Sequence, residues 1–188
     1  MSIRILGIAG SLRAASLNRA LIRAAAELAP KGMEIRPYEG LGDIPLFNED
    51  IEAQGDPTSV RALKAAIQEA DALLIATPEY NYGVPGVLKN AVDWASRPAG
   101  TSVLQRKPAA LMGASMGMHG TVRAQLALRQ TFVFTETYTL LRPEVLVARA
   151  HEKIDANGRL TDESTRKQIG KLLEAFAEWI GRFTTASR

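Results

Sequence analysis

The sequence predicts an α/β fold, a parallel sheet covered by helices on both faces. Three observations carry it. Apolar runs of strand length alternate with amphipathic segments of helix length almost throughout the chain, the pattern that builds parallel sheets with crossover helices. Ile3–Ala9 and Ala72–Ala76 are close to continuously apolar, as strands buried on both faces are. Each of these runs leads through a glycine-, serine- or proline-bearing connection into a helical pattern.

Ile3–Ala9 is the first strand. Residues 20–28 follow as a helix, with Leu21, Ile22, Ala25 and Leu28 on one stripe. Residues 34–38 form a short second strand. Residues 40–56 read as an irregular loop, whose carboxylates Glu49, Asp50 and Glu52 lack helical spacing and form a solvated rim. Pro57 opens the next helix at a favoured first-turn position, with Asp56 as its cap. Ala72–Ala76 is the third strand, followed by a loop and a helix that contains Trp94. Residues 107–112 form the fourth strand and residues 121–134 the next helix. Residues 140–148 supply an edge or final strand. Residues 161–183 close the chain as an amphipathic helix, with Ile169, Leu172, Leu173, Phe176 and Ile180 inward. There is no internal repeat, low-complexity tract or linker. A chain of 188 residues suits one domain, so residues 1–188 are expected to fold as one.

Composition excludes several classes of chemistry. There is no cysteine, which removes disulfides, thiol catalysis and thiolate metal sites. Redox chemistry, if present, must belong to a bound cofactor. His119 and His151 have no metal-ligand spacing around them, so no metal site is expected. No run approaches transmembrane length, and the N-terminus lacks the features of a signal peptide. The expectation is a cytoplasmic protein without membrane insertion. The net charge is +3, and the arginines are spread rather than gathered in a run. That argues against nucleic acid and suits a surface that tolerates small anions. Arg97, Arg123, Arg129 and Arg142 read as solvated or interfacial.

Two connections carry more chemistry than a turn needs. After the third strand comes Thr77-Pro78-Glu79-Tyr80-Asn81-Tyr82-Gly83-Val84-Pro85-Gly86. A loop at the carboxyl end of such a strand is where open α/β sheets bind ligands. Prolines and glycines fix its backbone, and Tyr80 and Tyr82 can lie flat against a planar ring. After the first strand comes Gly10-Ser11-Leu12-Arg13-Ala14-Ala15-Ser16-Leu17-Asn18-Arg19. It lacks the dinucleotide spacing G-x-G-x-x-G and the Gly-Lys-Ser/Thr of a Walker loop. Its hydroxyls Ser11 and Ser16, the amide of Asn18 and the guanidinium of Arg13 sit at a helix N-terminus, which favours an anion. Together they suit a cradle for one phosphate monoester, although Ser and Asn also cap helices with no ligand present.

The two loops together resemble the NADPH-dependent FMN reductase family, which is flavodoxin-like and includes quinone, chromate and azo-dye reductases. The resemblance rests on Gly10-Ser11-Leu12-Arg13-x-x-Ser16-x-Asn18 and on the long motif from Pro78 to Trp94, which includes Val84-Pro85-Gly86-x-Leu88-Lys89-Asn90-Ala91-x-Asp93-Trp94. A weaker third motif is Gly113-Ala114-Ser115-x-Gly117-x-x-Gly120. The resemblance implies a doubly wound sheet of five parallel strands in the order 2-1-3-4-5, with helices on both faces. It implies bound FMN, with NADPH or NADH as cosubstrate. Ser11, Arg13, Ser16 and Asn18, with Leu12 and Leu17 between them, would surround the FMN phosphate. Pro78, Glu79, Tyr80, Asn81 and Tyr82 would line the isoalloxazine, with Ser115 near the ring on the third loop. Backbone N–H groups of residues 79–82 and of the loop at Ser115 are expected to donate to the ring.

No catalytic side chain is implied, because the chemistry lies at FMN N5 and follows ping-pong kinetics with a small-molecule acceptor. Quinones, chromate, azo dyes, ferric chelates and free flavins all remain candidates. His119 is a possible proton donor to a reduced quinone, or a loop histidine without a role. Lys89 and Asp93, four apart on one helix, are placed to pair. Val84, Pro85, Val87 and Trp94 put apolar surface near the long loop, unless Trp94 packs onto its own sheet, and the family implies a homodimer or homotetramer with FMN near the interface. Two rival readings exist. Gly113-Ala114-Ser115-Met116-Gly117 matches a nucleophile elbow, with Ser115, Glu144 and His151 as a formal triad, but that leaves both ligand loops unexplained. A non-enzymatic flavodoxin-like electron carrier is the closer rival, although such carriers tend to be strongly acidic.

Overall fold

The apolar runs become strands because their side chains find core whichever way they point. In the computed structural model, which describes residues 2–184, the strands are β1 (Ile3–Ala9), β2 (Met33–Pro37), β3 (Ala72–Ala76), β4 (Pro108–Ala114), β5 (Tyr138–Thr139) and β6 (Val145–Val147). The helices are α1 (Leu17–Glu27), α2 (Glu49–Glu52), α3 (Thr58–Glu69), α4 (Gly86–Ala95), α5 (Val122–Phe134) and α6 (Glu163–Thr184). The sheet runs β2-β1-β3-β4-β5, with β6 also on β4, and every pairing between its strands is parallel. β3 and β4 are buried at every position. Alternate residues serve two cores. Ile5, Leu74 and Met112 pack on one side with α1 and α6. Leu6, Leu73, Ile75 and Leu111 pack on the other with α3, α4 and α5. The five expected inward residues of α6 all lie in the first core.

The fifth strand position departs from expectation. Residues 140–148 do not form one strand. β5 lies opposite Pro108 and Ala109 at the start of β4, and β6 opposite Met112 to Ala114 at its end. Pro143 in the intervening segment has no N–H to give to a ladder, so the chain leaves the sheet and rejoins it.

Helix starts follow local capping. α1 begins earlier than the hydrophobic stripe suggests, because Ser16 caps it, its Oγ accepting from the Arg19 N–H at 3.2 Å. Residues 40–56 are more ordered than expected. They hold the single turn α2, capped by Asn48. Its carboxylates are not all a solvated rim, because Glu52 accepts from Arg97 Nε at 3.0 Å. Asp56 does not cap α3. Pro57 itself occupies the cap position with no side-chain cap bond, one residue nearer the helix, and the Asp56 carboxylate instead accepts from Lys64 Nζ at 2.6 Å. Trp94 contributes nothing to the surface. It is fully buried, donates from Nε1 to the Pro45 carbonyl at 2.8 Å and meets the Phe47 ring edge-on at 5.0 Å. Pro85 is buried as well.

At the start of α6, the Asp162 carboxylate accepts from the Thr165 N–H at 2.7 Å. Hydrogen bonds from Thr165 hold its pKa below the ordinary 3.8. A depressed value makes the cap's contribution present above 3.8 and lost as the pH falls through the folded-state value. Asp162→Ala is therefore expected to cost about 1 kcal/mol at neutral pH. The gap from wild type should close in acidic thermal melts. The side chain is solvated, so screening keeps the purely electrostatic share small.

Candidate functional site

The chain leaves β1 toward β2 on one side and enters β3, β4 and β5 on the other. Connections after β1 and β3 therefore flank the point where the strand order reverses, the usual ligand crevice of such sheets. The β1–α1, β3–α4 and β4–α5 loops meet there around one open cleft. The first loop lines it with Ser11, Arg13, Ser16, Leu17 and Asn18, the second with Pro78, Glu79 and Tyr80. The third supplies Ala114, Ser115 and Met116. Leu12, Asn81 and Tyr82 lie on the same loops but do not line the cleft itself, and Leu12 is largely exposed.

One end of the cleft is built for an anion. The first N–H groups of α1 open into it, as helix N-termini do toward anions. Ser16 uses a lone pair on the Arg19 N–H, which leaves its hydroxyl proton free. Ser11 Oγ accepts from the Arg13 N–H at 3.4 Å and lies 3.3 Å from the Tyr80 hydroxyl, joining the first two loops. Arg13 makes no ion pair among the described residues and its side chain is exposed.

Asn18 plays a different part from Ser11 and Ser16. It is 2% exposed. Its Oδ1 accepts from the Ala114 N–H at 2.9 Å and its Nδ2 donates to the Ala114 carbonyl at 3.0 Å. One N–H and one oxygen lone pair of the amide thus tie α1 to the end of β4. Glu79 is likewise committed. Its Oε2 accepts from the N–H groups of Arg123 and Ala124 at 2.9 and 3.2 Å, and its Oε1 from Arg123 Nη1 at 3.3 Å. The carboxylate caps α5 from another loop, leaving the backbone of Glu79 rather than its side-chain oxygens for a ligand. Sequence reasoning treated Arg123 as solvated and missed this clamp. A signal was present: α5 starts with no acidic residue in its first turn and no cap from Thr121, so its first N–H groups needed an acceptor from elsewhere.

The tip of the second loop is strained. Tyr80 and Gly83 exchange backbone hydrogen bonds at 3.2 and 2.9 Å, which forces Asn81 and Tyr82 to φ values of 51° and 65°. The left-handed region is natural for asparagine and costs a residue such as tyrosine about 1–2 kcal/mol. Among the described residues the N–H groups of Asn81 and Tyr82 have no protein partner, whereas those of Tyr80 and Ser115 are taken by the Gly83 and Val147 carbonyls. The turn therefore keeps two N–H groups available, and the N–H of Ser115 itself is used within the fold.

The nucleophile-elbow reading fails on geometry. Ser115 does not have the positive φ of a strained elbow. His151 pairs with Glu152 and Glu144 with Arg142, and neither is hydrogen-bonded to Ser115 among the described residues. Two glycines of the third motif, Gly113 and Gly120, have packing reasons. A Cβ at Gly113 would meet Thr121 Oγ1 and the Thr77 carbonyl, and Gly120 has φ +58° against the Leu146 backbone. Lys89 and Asp93 pair at 2.5 Å. His119 is exposed on the third loop and makes no side-chain bond among the described residues. No cluster of potential metal ligands and no helix long and apolar enough to cross a membrane occurs among the described residues.

Known proteins resemble this chain in sequence and in fold. The chain is 49% identical over 180 residues to an NAD(P)H-dependent FMN reductase of Pseudomonas aeruginosa, covering 96% of each. It is 41% identical to a 2-hydroxy-1,4-benzoquinone reductase of a Burkholderia species, covering 96% of this chain and 97% of that one. The solved structure of FerB, a flavoenzyme NAD(P)H:(acceptor) oxidoreductase from Paracoccus denitrificans, superposes with a TM-score of 0.86 at 38% identity, covering 96% of this chain and 98% of that one. Residues 3–152 match the family described as NADPH-dependent FMN reductase. With that match spanning all three loops of the cleft, the chain belongs to the NADPH-dependent FMN reductase family.

Proposed function

We propose that this protein is an NAD(P)H-dependent FMN oxidoreductase that passes electrons from NADPH or NADH to small acceptors, quinones first among them. The observation that carries the reading is the convergence of three loops on one cleft, where an anion cradle at the start of α1 meets Tyr80 of the aromatic loop. The donor set fits FMN: hydroxyls, a free guanidinium and helix N–H groups for a phosphate, with a rigid aromatic loop for a flat ring. When bound, FMN would supply the two-electron chemistry between nicotinamide and acceptor.

The chain's own residues bind and orient. Ser11, Arg13 and Ser16 hold the phosphate. Pro78, Glu79 and Tyr80 would line the ring's part of the cleft, with the turn at Asn81 and Tyr82 beside it. Leu12 and Leu17 shape the first loop, and the Ser115 hydroxyl faces the cleft from the third. Asn18 and Glu79 act at one remove by fixing those loops. Residues 1–188 are read as one domain, of which Met1 and 185–188 lie outside the described residues. A homodimer or homotetramer is supported by the exposed apolar side chains Leu126, Val133, Phe134 and Leu141, and a cleft near the interface is what the family resemblance implies. Use of a nicotinamide nucleotide supports a cytoplasmic site of action.

The test is the visible spectrum of the purified protein before and after anaerobic addition of NADPH. Flavin bands that bleach are the expected result. Bands that persist would indicate an electron carrier served by a partner protein, and a colourless protein that fails to bind added FMN would overturn the reading.

A further inference from the structure

The third loop of the cleft carries a contact that the proposed function does not use. Met116 and Met118 are 60% and 63% exposed, whereas Met33 and Met112 are buried in the core. Met116 lines the cleft. Met118, two residues on, accepts a hydrogen bond at its Sδ from Arg149 Nε at 3.1 Å. Arg149 is exposed and makes no ion pair among the described residues. Its backbone lies in the left-handed region, at φ 47° and ψ 44°, where an arginine is strained. The Arg149 N–H donates to the Gly117 carbonyl at 3.1 Å, the Ala150 N–H to the Ser115 carbonyl at 3.0 Å, and the Ser115 N–H to the Val147 carbonyl at 3.0 Å. These backbone bonds staple the loop to the segment that follows β6, and the Met118–Arg149 contact reinforces them.

A thioether is a weak acceptor, so a guanidinium without a carboxylate gains little from one. A sulfoxide is different. Its oxygen carries partial negative charge, and a hydrogen bond with an ionised partner is about twice as strong as a neutral one. Exposed methionine is oxidised to the sulfoxide, and methionine sulfoxide reductases restore it. With hydrogen peroxide as oxidant, the sulfur gives up two electrons and forms an S=O bond as the O–O bond breaks. The second oxygen leaves as water with both protons. At Met118 the donor that would hold the product is already in place.

We propose that Met118 is a site of reversible oxidation by hydrogen peroxide, and that Arg149 grips the resulting sulfoxide and so clamps the third wall of the cleft to the segment after β6. As a thioether, Met118 holds the loop lightly. As a sulfoxide, it holds the loop shut. The clamp consists of the chain's own residues and forms with or without bound flavin.

A Met116→Leu protein isolates the site, because leucine keeps the volume and has no sulfur. After brief treatment with dilute hydrogen peroxide, peptide mass spectrometry should find one added oxygen on Met118 at least about tenfold faster than on the shielded Met33 or Met112. Amide exchange is then read at Ser115, Arg149 and Ala150, whose hydrogen bonds break when the loop lifts. Oxidation should slow that exchange about three- to tenfold, as one strengthened hydrogen bond predicts, and methionine sulfoxide reductase should reverse the change. With Arg149→Leu added, Met118 should oxidise as before and the slowing should vanish. Arg149→Gly, which relieves the strained φ, should give the same result if the leucine variant does not fold. The proposal is overturned if Met118 oxidises no faster than Met33 and Met112, if oxidation leaves exchange unchanged or faster, or if the slowing survives the loss of Arg149. A protein that fails to bind FMN overturns the proposed function and leaves this test standing, since amide exchange needs no flavin.

Discussion

A Gly113→Ala variant is expected to lose about 3 kcal/mol or more of stability, at the upper end of overpacking penalties. For a chain of this size that is a fall of about 6–12 °C in melting temperature. An added Cβ would stand 1.9 Å from Thr121 Oγ1 and 2.4 Å from the Thr77 carbonyl. Neither neighbour can give way cheaply. Thr121 is fully buried and accepts from Gln125 Nε2 at 3.1 Å, and the Thr77 oxygen is main chain between β3 and the aromatic loop. Adding Thr121→Ala should recover only part of the loss, because the Thr77 carbonyl stays. Any shift that makes room moves the start of α5, and with it the Glu79 clamp. FMN affinity should therefore fall along with the melting temperature. Thermal melts of the apo-protein and flavin titrations measure the two. A variant that melts with the wild type would mean that β4 can move away from α5 at no cost.

Asn18→Ala is the second large effect expected. Removing the amide leaves the buried N–H and C=O of Ala114 without partners, at about 1–3 kcal/mol for each unsatisfied group. The discriminating measurement is the stability of the apo-protein. If Asn18 were chiefly a phosphate ligand, its loss would weaken FMN binding and leave the empty protein's melting temperature alone. The geometry instead predicts that both fall. Asn18→Asp should not rescue either, because a carboxylate can accept from the Ala114 N–H but sets a second oxygen against the Ala114 carbonyl.

These two positions show where reading the sequence stops. The strand order came from the family resemblance that the ligand loops carry, while the alternation of strands and helices was legible from apolar periodicity, and the location of the cleft from two loops whose composition exceeds what a turn needs. Ser11, Ser16 and Tyr80 lie in the cleft for that reason. Asn18 and Glu79 have the same polar character and sit in the same motifs, but their partners are 96 and 44 residues away. No local spacing reveals that a side chain will be spent on a distant backbone. Asp56 failed as a cap by one residue, a margin set by how Pro57 enters α3. The divided fifth strand depended on whether a proline-bearing segment stays in the ladder or steps out of it. Trp94 was weighed as surface because helical position alone does not say that residues 45–47 fold back over it.

The divided strand also bears on how the protein behaves when crowded. A parallel sheet exposes two edges, and unpaired edges recruit other chains into aggregates. Here the β4 side ends in pieces of two and three residues, with a gap between them. The opposite edge is β2, only five residues long, where exposed Glu34 and Arg36 pair with each other at 2.7 Å and Pro37 ends the strand without an N–H. Neither border offers an uninterrupted row of donors and acceptors to a neighbouring chain, which favours recovery of the native protein over edge-to-edge polymerisation at high concentration.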